Sequence, residues 1–130
     1  MSHFAGSYAV RVGPRGAIPL PPPWWLAALA ADPGGAPGPT LFVIVEDAQE
    51  GFFRVVTPDE HLRLFSATAA QPDTEIDAFP VCLTDHGEIP GSDTFDRVPA
   101  FAPGQMVMLS GRKAGFSLSP MDETENPIHD

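Results

Sequence analysis

The feature that most constrains this chain is an internal repeat with an offset of 71 residues. Residues 13–19 (GPRGAIP) align with residues 84–90 (TDHGEIP), with an identical glycine, isoleucine and proline. Around both copies the same order recurs: a strand, a glycine turn, a short strand, a short helical element, a hairpin and a Ser/Thr-Pro dipeptide. A chain of 130 residues with such a repeat is expected to form one domain from two similar halves.

The repeat sets the expected organisation of the domain. We expect a single domain over residues 1–130, built from a first repeat at 1–70, a linker at 71–77, a second repeat at 78–123 and a tail at 124–130. Alternating or continuous apolar runs predict the main strands at 8–12, 41–45, 52–56, 81–83, 106–109 and 116–118. Ile18 belongs to an edge or incomplete strand, because Pro19 cannot donate to a ladder.

Two helices and one shorter element complete the prediction. The run from Trp24 to Ala31 is rich in helix formers and follows three prolines. The second helix begins at Thr57, whose side chain can cap it, and runs to about residue 70. Its apolar positions at helical spacing are Leu62, Phe65 and Ala69. A short element at 95–98 corresponds to the first helix in the second repeat.

Composition favours a folded domain and narrows its partners. Leu, Ile, Val and Phe number 32, which exceeds what a disordered chain contains, although Pro and Gly number 28. The net charge is −10, which disfavours strong sequence-independent binding to nucleic acid. The charge is unevenly placed, however: residues 1–31 carry +2, from Arg11 and Arg15, and the remainder carries −12. The two parts of the chain are therefore expected to face different partners.

The residue types typical of other function classes are absent or scattered. Cys82 is the only cysteine and the four histidines are dispersed, so a zinc site is not expected. No Ser/His/Asp, paired-carboxylate or phosphate-loop spacing occurs, so we expect no enzyme activity, no catalytic residue, no cofactor and no small-molecule substrate. The acids between 73 and 96 are read as a solvated rim rather than a calcium site. The start lacks a signal-peptide pattern and the longest apolar run is eight residues, so a cytoplasmic protein without membrane contact is expected.

Taken in order, these motifs resemble the MraZ family, the tandem-repeat relatives of AbrB-like swapped-hairpin transcription factors. The similarity covers about residues 3–123. It is carried by Phe4, Gly6, Tyr8, Val12, Arg15, Gly16, Ile18, Leu20 and Pro21 in the first half, and by Leu83, Gly87, Ile89, 105–109 and 111–120 in the second. The resemblance implies an α+β fold of two swapped-hairpin β repeats, related by a pseudo-two-fold axis, with short peripheral helices. We expect Val10, Val12, Val81 and Leu83 to be buried together.

The resemblance also implies a function. Proteins of that family are bacterial DNA-binding regulators of cell-division and cell-wall genes, and they assemble into closed rings. Each glycine turn of the family carries Asp-x-x-x-Arg, whose arginine reaches DNA. Here those positions are Gly13 and Ala17 in the first turn and Thr84 and Glu88 in the second, so all four depart from the pattern. We therefore expect a regulator whose readout of DNA is weakened or altered.

Three basic side chains are the candidate nucleic-acid contacts: Arg11, Arg15 and His86. Arg11 and Arg15 lie on and just after the first strand, and His86 lies in the second glycine turn. The alternative is that the two arginines are ordinary solvated edge residues and that His86 is a plain turn residue. If DNA binding is retained, the protein is expected to associate with the nucleoid.

The double tryptophan suggests a contact between subunits. Adjacent residues on a helix point about 100° apart, so Trp24 and Trp25 cannot both face one small core. Large aromatic side chains are enriched at interfaces, which fits a homo-oligomeric ring. A structural role within one subunit stays open for both. The second functional hypothesis is accordingly an assembly or protein-interaction ring that has lost DNA binding.

Overall fold

A computed structural model describes residues 4–35, 38–47, 50–69, 78–91, 101–112 and 114–121. The predicted linker at 71–77, the short element at 95–98 and the tail at 124–130 lie outside these residues. The described chain is α+β, with two helices and eight strands. The strands are β1 (Ser7–Arg11), β2 (Ile18–Pro19), β3 (Thr40–Asp47), β4 (Phe52–Val56), β5 (Ala78–Cys82), β6 (Glu88–Ile89), β7 (Met106–Arg112) and β8 (Gly115–Pro120). The helices are α1 (Pro22–Ala31) and α2 (Pro58–Ala69).

Six strands form one antiparallel sheet in the order β1-β7-β8-β4-β3-β5. Each half of the chain contributes a hairpin, β3–β4 and β7–β8, and the two hairpins meet at the centre through β4 and β8. The edge strands are exchanged, because β1 pairs with the second hairpin and β5 pairs with the first. When every strand of one half is replaced by its counterpart in the other, the same order is obtained, read from the opposite edge of the sheet.

The ends of the edge strands are fixed in matching ways. Beyond β1, the Val12 N–H donates to the Gln105 carbonyl at 2.8 Å. Beyond β5, the Leu83 N–H donates to the Pro39 carbonyl at 2.9 Å. Each bond ties the end of an edge strand to the hairpin of the other half, just before the glycine turn begins.

The remaining two strands, β2 and β6, form a separate antiparallel ribbon. Ile18 lies opposite Ile89, and both side chains are fully buried. The ribbon is only two residues long on each side, as expected where Pro19 ends the ladder. It joins the two halves on the face of the sheet that carries the core.

The core fills the space between this face, the ribbon and α1. Val12, Val81 and Leu83 are buried in one cluster, as expected from the sequence. Val10 is only partly buried and packs against the edge of that cluster, because β1 is an edge strand. Trp24 of α1 is the largest fully buried side chain of the described residues.

Helix α2 lies on the opposite face of the sheet. Phe42 of β3 stacks on His61 of α2 with ring centroids 3.9 Å apart and planes 5° apart. The Thr57 hydroxyl accepts a hydrogen bond from the Glu60 N–H at 3.3 Å, which confirms the predicted N-cap. The sequence also placed Leu62 and Phe65 at helical spacing, and both side chains point away from the sheet, with 64% and 58% of their surface exposed.

Candidate functional site

The first glycine turn is closed by two backbone hydrogen bonds. The Gly13 N–H donates to the Ala17 carbonyl at 2.8 Å, and the Gly16 N–H donates to the Gly13 carbonyl at 3.0 Å. Gly16 has a φ of 80°, a backbone conformation that residues with a side chain adopt only with strain. Arg15 lies at the tip of this turn and is exposed. The turn contains no carboxylate, so Arg15 sets its charge.

The second turn repeats this geometry with different chemistry. The Thr84 N–H donates to the Glu88 carbonyl at 2.9 Å, and the Gly87 N–H donates to the Thr84 carbonyl at 3.0 Å, each residue lying 71 positions after its counterpart. The Thr84 hydroxyl also accepts from the N–H groups of His86 and Glu88, at 3.3 and 3.2 Å. A carboxylate at this position would accept the same two bonds. Thr84 therefore supports the turn in the way that an aspartate would.

His86 is exposed at the tip of the second turn. Its Nε2 lies 3.5 Å from the Asp85 carboxylate, and both side chains are more than two-thirds exposed. Asp85 and Glu88 give the turn a formal charge of −2 when His86 is neutral. This turn is thus less suited to a phosphate than the first one.

The two turns lie at opposite ends of the β2–β6 ribbon. Ile18 opposes Ile89 in the ribbon. The Leu20 N–H donates to the Gly87 carbonyl at 3.0 Å, so the second turn lies beside Leu20. Gly16 lies four residues away along the ribbon, which corresponds to ~13 Å at the usual rise of a strand. The structure therefore does not bring Arg15 and His86 into one cluster.

Arg11 is partly engaged by the protein itself. It lies at the end of β1, opposite Met106, and its Nη1 donates to the Gly104 carbonyl at 2.8 Å. A guanidinium has five N–H donors, so the others stay available at this exposed position. A phosphate that binds Arg11 would therefore compete with the Gly104 carbonyl for the guanidinium.

The two tryptophans have different environments. Trp24 is fully buried, and its ring lies 4.8 Å from that of Phe116 and 5.7 Å from that of Phe4. Its indole N–H donates to the Ala5 carbonyl at 3.1 Å. Trp24 is therefore part of the core of one chain and has no exposed surface to offer to a partner subunit, contrary to its assignment as an interface residue.

Trp25 is half-buried and packs over the second glycine turn. A Cβ atom placed on Gly87 would lie 3.4 Å from the Trp25 ring, so the bare backbone of Gly87 and the indole are in close contact. Trp25 thus supports the turn with one face. Of the two tryptophans, it is the one that can also contact another subunit.

Two further features were not anticipated from the sequence. One is the outward apolar stripe on α2, formed by Leu62 and Phe65. The apolar spacing that predicts the helix also predicts that these two side chains share one face. It does not predict whether that face is turned toward the sheet or toward solvent. The other is a cavity between β4, β8 and α2 that is lined by Arg54 and Arg112. These arginines are distant in sequence, and no local motif links them.

The described residues contain no group of three or more His, Cys, Asp or Glu side chains arranged to hold a metal ion. Among these same residues, no helix has the length and apolar character needed to cross a membrane. No family model matches the chain, and no curated protein matches it either.

Proposed function

We propose that this protein is an MraZ-like transcriptional regulator, of cell-division and cell-wall genes, that contacts DNA weakly through its first glycine turn. The observation that carries the proposal is the exposed Arg15 at the tip of a turn without carboxylates. The exchange of β1 and β5 between the two hairpins supports it, because the resemblance implies swapped hairpins.

Weak or altered readout follows from the side chains present. Bidentate recognition of guanine requires a guanidinium, and Ala17 offers no side-chain donor where the family has arginine. Glu88 has the wrong charge for a phosphate or for most base edges. Binding would then depend mainly on charge contacts from Arg15, with a smaller share from Arg11, and would fall steeply with salt.

The proposal is tested by a mobility-shift titration at low salt with a duplex from the gene's own upstream region. Wild-type protein is expected to shift this duplex at micromolar concentration, and Arg15→Gln is expected to weaken the shift. Arg63→Gln is the matched control, since it removes the same charge from an exposed side chain on α2. No shift by the wild type, or equal weakening in both variants, would rule out the first turn as the DNA contact.

The second candidate function is a homo-oligomeric assembly without DNA binding. It is favoured by the exposed apolar side chains of Leu62 and Phe65 on α2. Burying them against another copy would remove apolar surface from water. Leu62→Asp should then reduce the mass measured by light scattering. Leu26→Asp is the matched control, because Leu26 is also a helical leucine with 64% exposure. An unchanged mass in Leu62→Asp would contradict assembly through α2.

A further inference from the structure

A cavity of about 210 Å³ lies where the centre of the sheet meets the first turn of α2. Its lining combines charged and apolar groups: Arg54, Val56, Glu60, Arg112, Ala114, Gly115 and Phe116. The pairing of β4 with β8, and of β8 with β7, brings Arg54 and Arg112 to the same cavity. The Thr57 N–H donates to the Ala114 carbonyl at 3.1 Å, which fixes the start of α2 beside it.

Arg54 has an unusual position for a charged residue. It lies in the middle of β4, a central strand, opposite Ser117 and Ile44. Its Nε is shielded from solvent, and no acceptor of the described protein lies within hydrogen-bonding distance of that atom. Buried N–H groups of charged side chains are nearly always paired. Arg54 therefore places in the wall of the cavity a guanidinium that is incompletely paired at Nε.

The lining of the cavity is positive in an acidic protein. Among the described residues, the lining includes two arginines, Arg54 and Arg112, and one carboxylate, that of Glu60. That carboxylate also accepts hydrogen bonds from Nε and Nη2 of Arg63, at 2.8 and 2.6 Å. These bonds, and then the charge of Glu60, raise the pKa of Arg63 above its ordinary value. The site therefore favours an anion, although the chain as a whole carries −10.

We propose that this cavity binds a small organic carboxylate. A guanidinium presents parallel N–H donors that match the two oxygens of a carboxylate, and Arg54 and Arg112 each bring one to the lining of the cavity. Val56 provides an apolar contact for a short carbon chain. The nearby Glu60 disfavours a dianion such as phosphate. A volume of about 210 Å³ accommodates a carboxylate with a few carbon atoms. The site is independent of the proposed DNA contact, because Arg54 lies on the face of the sheet opposite the core.

The test is an NMR titration of the full-length protein with sodium propionate, compared with sodium phosphate and sodium chloride at equal ionic strength. Propionate should shift the amide signals of Ala114 and Gly115 in a saturable way, with a Kd on the order of millimolar for so small a ligand. Arg54→Gln should weaken binding at least ~10-fold, the effect expected for a charge-assisted bond. Arg54→Lys should also weaken it, since a lysine keeps the charge but lacks the planar pair of donors.

Two further variants separate binding from folding. Arg112→Gln changes an exposed side chain at the end of β7, so weaker propionate binding there cannot be attributed to disruption of a central strand. Arg15→Gln is the charge-matched control and should bind propionate like the wild type. Equal shifts with chloride, or unchanged binding in both Arg54→Gln and Arg112→Gln, would overturn the proposal. Tighter binding of phosphate than of propionate would overturn the assignment to a carboxylate.

Discussion

Replacing Trp24 by alanine removes the largest fully buried side chain of the described core. A buried tryptophan removes about 200 Å² from water, which at 25 cal/mol per Å² stabilises the fold by about 5 kcal/mol. A compact unfolded state lowers this figure to about 3–4.5 kcal/mol. The hydrogen bond from the Trp24 indole to the Ala5 carbonyl adds about 1 kcal/mol. We therefore expect Trp24→Ala to cost about 4–5.5 kcal/mol, a large part of the stability of a small domain.

The matched control for this change is the neighbouring tryptophan. Trp25 is only partly buried, so Trp25→Ala should cost less than Trp24→Ala. Urea unfolding followed by circular dichroism measures both without relying on tryptophan fluorescence. If Trp24→Ala unfolds the chain at once, Trp24→Phe keeps most of the ring packing and should cost about 1–2 kcal/mol. A cost for Trp24→Ala no greater than that for Trp25→Ala would refute the placement of Trp24 in the core.

Three other changes have defined outcomes. Gly115→Ala drives a Cβ into the Val55 carbonyl of β4 and should cost more than about 3 kcal/mol in urea unfolding, whereas Gly34→Ala, with open space around it, should stay within about 0.5 kcal/mol. Thr57→Ala removes the N-cap of α2 and should cost about 1 kcal/mol in the same assay, and a neutral result would argue against the cap. Combining Ala17→Arg with Glu88→Arg should tighten DNA binding in a mobility-shift assay, and no gain would weaken the resemblance to the MraZ family.

Local chemistry made several elements predictable from the sequence. The glycine turns were recognisable because Gly16 and Gly87 supply positive φ angles, which few other residues adopt. The start of α2 was recognisable because Thr57 and the following proline form a strong N-terminal signal. The diverging environments of Trp24 and Trp25 follow from helical geometry alone. The choice of Trp24 for the core required the positions of Phe4 and Phe116, which only the packed structure supplies.

The cavity and the outward stripe of α2 depend on long-range pairing. Arg54 and Arg112 line the same cavity because β4 and β7 both pair with β8. Sequence periodicity does not predict which strands are neighbours in the sheet. Similarly, the apolar positions of α2 predict a helix but not its rotation. In the observed rotation His61 stacks on Phe42, and Leu62 and Phe65 are exposed.

The salt dependence of DNA binding is the most direct test of the proposed regulator. Fluorescence anisotropy of a duplex from the gene's own upstream region gives the slope of log affinity against log salt for the wild type and for Arg15→Gln. If Arg15 neutralises a phosphate, the slope of the variant should be shallower by about 0.9 for each phosphate that is no longer neutralised. Equal slopes for the two proteins, or no binding at micromolar protein in low salt, would contradict a DNA contact at the first glycine turn.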